Sequence, residues 1–143
     1  MNLEIYIEQG KLKRIKPKYD QIMRLIERSQ KDLVTAKRNL EFDEEWAYTI
    51  AYHAILRSAR ALLLSKGLRP SGTGQHKTVV EISGLILGKE FSELIDKFDR
   101  MRRTRSDFIY EYIDLSFEEA KKAIKDAQTL VVKIKENINA SFG

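Results

Sequence analysis

Residues 43–67, D-E-E-W-A-Y-T-I-A-Y-H-A-I-L-R-S-A-R-A-L-L-L-S-K-G, decide the fold of this chain. Asp43 is a suitable N-cap, and Glu44 and Glu45 suit the positive end of a helix dipole. Gly67 suits the position that follows the last helical turn. Between these signals nearly every side chain is apolar or small, so the segment predicts a central helix that other helices surround.

The few large polar side chains of this helix form one stripe. At about 100° per residue they fall within roughly 80° of one another. The stripe consists of Thr49, His53, Arg57 and Arg60. Because unpaired buried charge is costly, these side chains must meet water, a partner subunit or a polar ligand. A solvated edge of a helical bundle explains the stripe as well as a binding surface does.

Apolar side chains at spacings of three and four predict further helices on both sides of the central one. Four long helices are expected near 17–41, 43–66, 89–112 and 116–139, and a short one near 76–87. Capping boxes are indicated at Ser116–Glu119 and Thr78–Glu81. The short connections favour an all-α, antiparallel up-and-down bundle. Its predicted core includes Trp46, Ile50, Leu62, Phe98, Phe108, Ile124 and Val131.

The chain divides into a basic N-terminal lead-in, residues 1–16, and a helical domain, residues 17–143. In the lead-in, the alternating Leu3, Ile5 and Ile7 suit a short strand, while a short helix that ends at Gly10 fits equally. The basic cluster that begins at Lys11 could contact something acidic or simply be solvated. We favour the solvated lead-in.

The composition limits the possible classes of protein. The chain has 143 residues, a net charge of +5 and no cysteine, which excludes disulfides, thiolate metal sites and cysteine nucleophiles. The absence of cysteine, and acids at the N-terminus where a signal peptide needs bases, predict a cytoplasmic protein without a membrane span. The positive charge permits binding to nucleic acid or to an acidic partner, although lysine-rich solvated helix faces give the same value.

Arg105 is the polar exception on the apolar seam of the helix near 89–112. The surrounding residues 100–112, R-M-R-R-T-R-S-D-F-I-Y-E-Y, are rich in arginine, tyrosine and acids. A guanidinium on a core-facing line needs a carboxylate, carbonyls, water or a ligand. A salt bridge to Asp107 or to another helix would satisfy it, and so would a bound anion.

The central helix, the following Gln75-His76-Lys77 and the later R-S-D-F-I-Y-E-Y resemble the HEPN domain family. This resemblance implies a four- or five-helix bundle that often forms homodimers and often accompanies a minimal nucleotidyltransferase. Many members are metal-independent RNases, including toxins, that use an arginine, a following polar residue and a histidine.

The family motif matches this chain in part. Arg105 matches the arginine, Ser106 the polar residue, and Tyr112 a tyrosine that often follows the histidine. Tyr110 stands where the family has the histidine, and a phenol with a pKa near 10 is a poor general base at neutral pH. An arginine-to-histidine spacing also occurs from Arg69 to His76, across a Gly-rich loop, and is interpreted as coincidence.

The resemblance therefore favours a binding module, namely a nucleotidyltransferase partner or substrate-binding subunit of toxin–antitoxin type. The alternative is a metal-independent endoribonuclease whose catalytic candidates are Arg105 and Tyr110. No metal site or cofactor is predicted, because His53 and His76 are few and distant in sequence. The expected partners are a second copy of the chain, a nucleotidyltransferase, and a nucleotide or RNA. The predicted ligand or interface residues are Arg105, Ser106, Asp107, Tyr110, Tyr112, Thr49, His53, Arg57 and Arg60.

Overall fold

The computed structural model describes residues 2–110 and 114–142, without the side chains of Ile109 and Tyr110. These residues form six α-helices, a short 3₁₀ turn at Lys89–Phe91 and one two-stranded antiparallel sheet. The elements in chain order are α1 (Leu3–Glu8), β1 (Leu12–Arg14), α2 (Tyr19–Asn39), α3 (Glu44–Ser65), β2 (Leu68–Pro70), α4 (Gln75–Leu87), α5 (Ser92–Tyr110) and α6 (Phe117–Phe142). The predicted all-α fold is confirmed.

The expected signals set the ends of the two helices that dominate the bundle. Asp43 Oδ1 accepts a hydrogen bond of 2.9 Å from the backbone N–H of Trp46, and α3 starts there. The chain leaves α3 through Gly67 at φ +73°, a conformation that favours glycine. At α6, the N–H of Glu119 donates to Ser116 Oγ at 3.1 Å. Local capping chemistry thus fixes where α3 and α6 begin.

The central helix α3 packs against α2, α4, α5 and α6. Thirteen of its side chains are buried, as its nearly continuous apolar surface predicts. Among the predicted core residues, Leu62, Phe98, Ile124 and Val131 are buried. Ile50 and Phe108 are partly buried and pack against this core. The core therefore surrounds α3, and the side chains of the α3 stripe are among the partly exposed ones of this helix.

The prediction that Trp46 belongs to the core is wrong, since 55% of its side chain is exposed. The reason is its place on the helix. Trp46 precedes His53 by seven residues, a rotation of only about 20° short of two full turns, so it lies in line with the polar stripe. Its aromatic character suggested burial, but the face of the helix decides.

The predicted capping box at Thr78 and Glu81 is also wrong. Helix α4 starts earlier, at Gln75, after Gly74 at φ +67°. Thr78 is buried inside the helix, where its Oγ1 donates back to the carbonyl of Gly74 at 3.2 Å. Glu81 instead accepts a 2.5 Å hydrogen bond from the Tyr6 hydroxyl. Its carboxylate therefore joins α4 to α1 and caps nothing.

The N-terminal segment forms a short helix and then a strand, and both pack on the bundle. Tyr6 and Leu12 are buried, and β1 pairs with β2 so that Leu12 lies opposite Pro70. The loop after β2 closes tightly on this segment, because a Cβ on Gly72 would lie 2.9 Å from the carbonyl oxygen of Gly10. Two strands of three residues, far apart in sequence, carry too little periodicity to be predicted.

Candidate functional site

The α3 stripe is partly buried along its length, and its members have different roles. Thr49 Oγ1 donates to the carbonyl of Glu45 at 3.0 Å, within its own helix. Arg57 Nη1 lies 3.4 Å from Oδ2 of the buried Asp32, whose Oδ1 lies 3.3 Å from Arg28 Nε. Arg57 is therefore neutralised by α2, whereas none of the described residues forms an ion pair with Arg60.

Tyr52 lies beside the stripe and joins the two histidines of the chain. Its hydroxyl lies 2.9 Å from Nδ1 of His76, in the first turn of α4. Its ring centroid is 5.6 Å from the ring of His53 and 5.9 Å from that of His76. Since Tyr52 is fully buried, its hydroxyl holds His76 against the core, and its ring packs against that of His53. Folding thus brings together two histidines that are 23 positions apart in the sequence.

Both imidazoles are neutral at neutral pH. Burial lowers the pKa of His53 below its ordinary 6.5, and the positive charges of Arg105 and Arg57 lower it further. Burial also lowers the pKa of His76, followed by the charges of Arg60 and Arg105. A neutral imidazole can accept a proton or a hydrogen bond from a ligand.

Burial also raises the pKa of Tyr52, to about 12, although nearby arginines oppose the shift. Its hydroxyl therefore keeps its proton. If it donates that proton to Nδ1 of His76, the second ring nitrogen, Nε2, carries a proton and is a donor. If Nδ1–H donates to the hydroxyl, Nε2 is an acceptor. In both tautomers Tyr52 orients the ring and leaves Nε2 for other contacts.

Helix α5 carries four arginines, and one acid, Asp99, forms ion pairs with two of them. Arg102 Nε lies 2.9 Å from Asp99 Oδ1, and Arg103 Nε lies 3.2 Å from Asp99 Oδ2. Arg105 is partly buried and has no hydrogen bond or ion pair with any residue that the structure describes. A permanently charged guanidinium in this state is available for an anion.

Arg105 also lines a groove of about 300 Å³ between α3 and α5. The exposed Trp46 and the partly buried Phe108 contribute aromatic surface to it, and Asp43 and Glu45 give one side a negative charge. This groove provides a cation, a hydroxyl from Thr49 and ring faces within one depression. Such a combination suits a ligand that has both an anionic group and a planar group.

The other predicted residues of α5 are less close to this arrangement. Ser106 is partly buried, whereas Asp107 is exposed and has no ion pair with Arg105 among the described contacts. The described part of Tyr110 is its backbone, at the last position of α5. Tyr112 lies outside the described residues. Of the predicted α5 residues, Arg105 is therefore the one whose charge acts on His53 of the stripe, and Arg105 and Arg60 both act on His76.

Sequence reasoning missed His76 and Tyr52. His76 entered the sequence analysis as part of the family resemblance, as a distant metal ligand and as the end of the coincidental Arg69 spacing, but not as a site residue. Two signals could have found this pair. The chain has only two histidines, and a tyrosine on the apolar face of a central helix needs a partner for its hydroxyl. No group of three or more metal-binding side chains occurs among the residues described.

The helical fold agrees with a comparison of the sequence with known families. The model of the HEPN domain family matches residues 22–138. The chain belongs to the HEPN family. No curated protein matches this HEPN chain. The match covers α3, α4 and α5, which carry Tyr52, His76 and Arg105, but it begins after α1 and β1. In the described parts of this HEPN protein, no helix is long and apolar enough to cross a membrane.

Proposed function

We propose that this HEPN protein is a binding module in which Arg105, His53 and His76 hold the phosphate of a nucleotide or RNA. The observation that carries the proposal is the partly buried Arg105, which lines the groove between α3 and α5 and forms no ion pair with any described residue. Its charge also contributes to the lowered pKa values of both histidines. A phosphate could accept a bidentate hydrogen bond from the guanidinium. The neutral imidazoles can add hydrogen bonds to the phosphate without repelling the guanidinium of Arg105.

Isothermal titration calorimetry with uridine 5′-monophosphate as the ligand tests this function. Removing the guanidinium with Arg105→Ala should weaken binding about 10- to 100-fold, since a charge-assisted hydrogen bond contributes about 1.5–3 kcal/mol. Arg103→Ala is the matched control, because Arg103 is on the same helix but is exposed and paired with Asp99. Equal affinity in the wild type and Arg105→Ala would contradict the proposal.

The proposed biological setting is that of a nucleotidyltransferase partner in a toxin–antitoxin pair, and the module acts as a symmetric homodimer. The family resemblance and the stripe on α3 support this setting. Part of the stripe and the exposed Trp46 would face the second copy or adjoin its groove. Sedimentation velocity at micromolar concentration should give a dimer, and a monomer would contradict this part. Coexpression with an adjacent minimal nucleotidyltransferase should give a stable complex.

A second candidate is metal-independent cleavage of RNA, and one observation favours it. His76 is neutral, is oriented by Tyr52 and can present Nε2 for proton transfer. This histidine of α4 could therefore take the role of the family histidine, whose position Tyr110 occupies here. We expect little cleavage by the wild type in the presence of a chelator. Robust cleavage that Arg105→Ala and His76→Ala each abolish would replace the binding module with the enzyme.

A further inference from the structure

A second and larger groove, of about 770 Å³, lies where β1 and β2 meet the start of α2 and the end of α3. The cations that line it are Lys13, Lys16, Lys18, Arg60 and Arg69. No Asp or Glu is among its lining residues, and in the described ranges none of the five cations has an ion pair or a side-chain hydrogen bond. The groove is therefore a concentrated positive surface.

The pairing of β1 with β2 places two of these cations next to each other, which destabilises the strand pair. In the β1–β2 register Lys13 lies directly opposite Arg69, and like charges in opposed positions destabilise a strand pair. An acid at either position would remove the repulsion. The next residue of β1, Arg14, differs in that it lies opposite Leu68 and pairs with Glu4. An anion in the groove would relieve the repulsion between Lys13 and Arg69.

Arg60 connects this groove with the phosphate site. It lines the groove, and its charge is also among the causes that lower the pKa of His76. Gln75, the residue before His76, lines the groove as well. Along α3, Trp46, His53 and Arg60 repeat at seven-residue spacing, so the stripe runs for about 21 Å on one side of the helix. The groove therefore adjoins His76 through Arg60 and Gln75.

We propose that this groove binds the sugar–phosphate backbone of single-stranded RNA and directs the strand to Arg105 and His76. The inference rests on the proposed function, because it names the substrate class of that site. A row of cations without acids suits repeated phosphates, and single strands occupy about 4–16 nucleotides on such grooves. A protein partner fits less well, since protein interfaces are rich in aromatic residues and poor in lysine. This groove has three lysines and no aromatic residue.

The three lysines of the groove lie outside the part of the chain that matches the HEPN family. Lys13, Lys16 and Lys18 all precede Ile22, where the HEPN match begins. The groove is thus partly built by the N-terminal segment that β1 holds against β2. The lead-in region accordingly contributes to ligand binding in addition to packing on the bundle.

Fluorescence anisotropy with a labelled 12-nucleotide oligouridylate tests the inference. The variant Lys13→Glu/Lys16→Glu/Lys18→Glu should bind at least tenfold more weakly at low salt. Its plot of log K against log salt should become shallower by about 2, because each lost phosphate contact removes about 0.7 from the slope. The matched control is Lys121→Glu/Lys122→Glu/Lys125→Glu, which changes the net charge equally. These lysines line a separate depression with Lys37, at the opposite end of α2 from Lys18.

Three results would overturn the inference. They are equal losses in the two triple variants, tighter binding of a 12-base-pair RNA duplex than of the single strand, and equally tight binding of a 12-residue polyglutamate. The three lysines are exposed, so the fold should survive. The variant Lys13→Gln should melt no lower than the wild type, because it removes the repulsion from Arg69, and should still weaken RNA binding.

The same measurements separate this inference from the proposed function. If uridine 5′-monophosphate binds in an Arg105-dependent manner but the 12-mer binds no tighter, the groove inference fails and the phosphate site stands. If the 12-mer depends on the groove lysines while Arg105→Ala changes neither ligand, the phosphate site fails and the groove stands. The groove triple variant should leave binding of the mononucleotide within about twofold, since one phosphate needs only the site at Arg105.

Discussion

Asp99 pairs with two of the arginines of α5. Its two carboxylate oxygens lie 2.9 Å from Arg102 Nε and 3.2 Å from Arg103 Nε, so one acid pairs with two of the four arginines of α5. Of the other two, Arg100 is exposed, whereas Arg105 is partly buried and lines the groove between α3 and α5. The difference between these arginines is one of position on the helix, since their chemistry is the same.

The first prediction concerns the pKa values of His53 and His76. Both should titrate below 6.5 in the wild type, and Arg105→Ala should raise both, because Arg105 disfavours the protonated rings. Burial is the largest cause, so both values should stay below 6.5 in the variant. Titration of the imidazole signals by NMR measures this, with Arg103→Ala as the control. Unchanged values in Arg105→Ala would show that the guanidinium does not face the rings.

The same lowered pKa values predict how stability depends on pH. Below 6.5 the unfolded chain binds protons at both histidines before the folded chain does, so the free energy of unfolding falls as the pH falls from 6.5. Each histidine contributes at most about 1.4 kcal/mol per pH unit in this window. Urea melts at several pH values give the free energy of unfolding of the wild type and of His53→Gln/His76→Gln. Below pH 6.5 this free energy should fall less steeply with falling pH in the variant than in the wild type. Parallel curves would contradict the neutral state of the folded rings.

Helix α1 is attached to the bundle through one side chain that is both buried and polar. Tyr6 packs in the core, and its hydroxyl donates to Glu81 of α4 at 2.5 Å. Burial and the neighbouring carboxylate raise the pKa of Tyr6 to about 12, so the hydroxyl stays a donor. Since β1 follows α1, this bond also helps to hold the edge of the basic groove.

We therefore expect Tyr6→Phe to lower the free energy of unfolding by about 1.5–3 kcal/mol, the range for a hydrogen bond to a charged group. Tyr19→Phe is the control, because the Tyr19 ring is 55% exposed and its contact with Phe142 is between rings. Urea denaturation measures both. A loss of less than about 0.5 kcal/mol in Tyr6→Phe would mean that water replaces Glu81 as the acceptor.

The elements that the sequence predicts well are those with many repeats of one spacing. The long helices repeat an apolar seam over five or more turns, and Asp43 and Ser116 mark two starts by local chemistry. The strands and the Tyr52–His76 contact depend on chain segments that meet only after folding. The prediction for Trp46 failed for a different reason. Its residue type indicated burial, but the face of the helix on which it lies exposes it.

In the molecule as a whole, the core and the candidate site share a wall. Phe98 of α5 is fully buried, and its ring lies 6.0 Å from that of Tyr52, which in turn orients His76. The site is therefore attached to fully buried side chains of the core. Substitutions in this part of the core should disturb ligand binding along with stability.

Phe98→Ala should lower the free energy of unfolding by about 3–5 kcal/mol, through lost burial and the cavity left behind. The control is Phe42→Ala, because the Phe42 side chain is 85% exposed in the turn between α2 and α3. Denaturant melts give both values. A change below about 1 kcal/mol in Phe98→Ala would mean that the α5 seam does not pack as described.

The exposed Trp46 gives the protein an optical reporter of its own. It is the single tryptophan of the chain, so all indole fluorescence comes from the groove that Arg105 lines. Its emission in the unliganded protein should resemble that of an indole in water. A nucleotide base stacked on the ring should quench it, and a second protein copy laid over it should shift the maximum to shorter wavelength. One unlabelled emission spectrum can thus separate ligand binding from self-association.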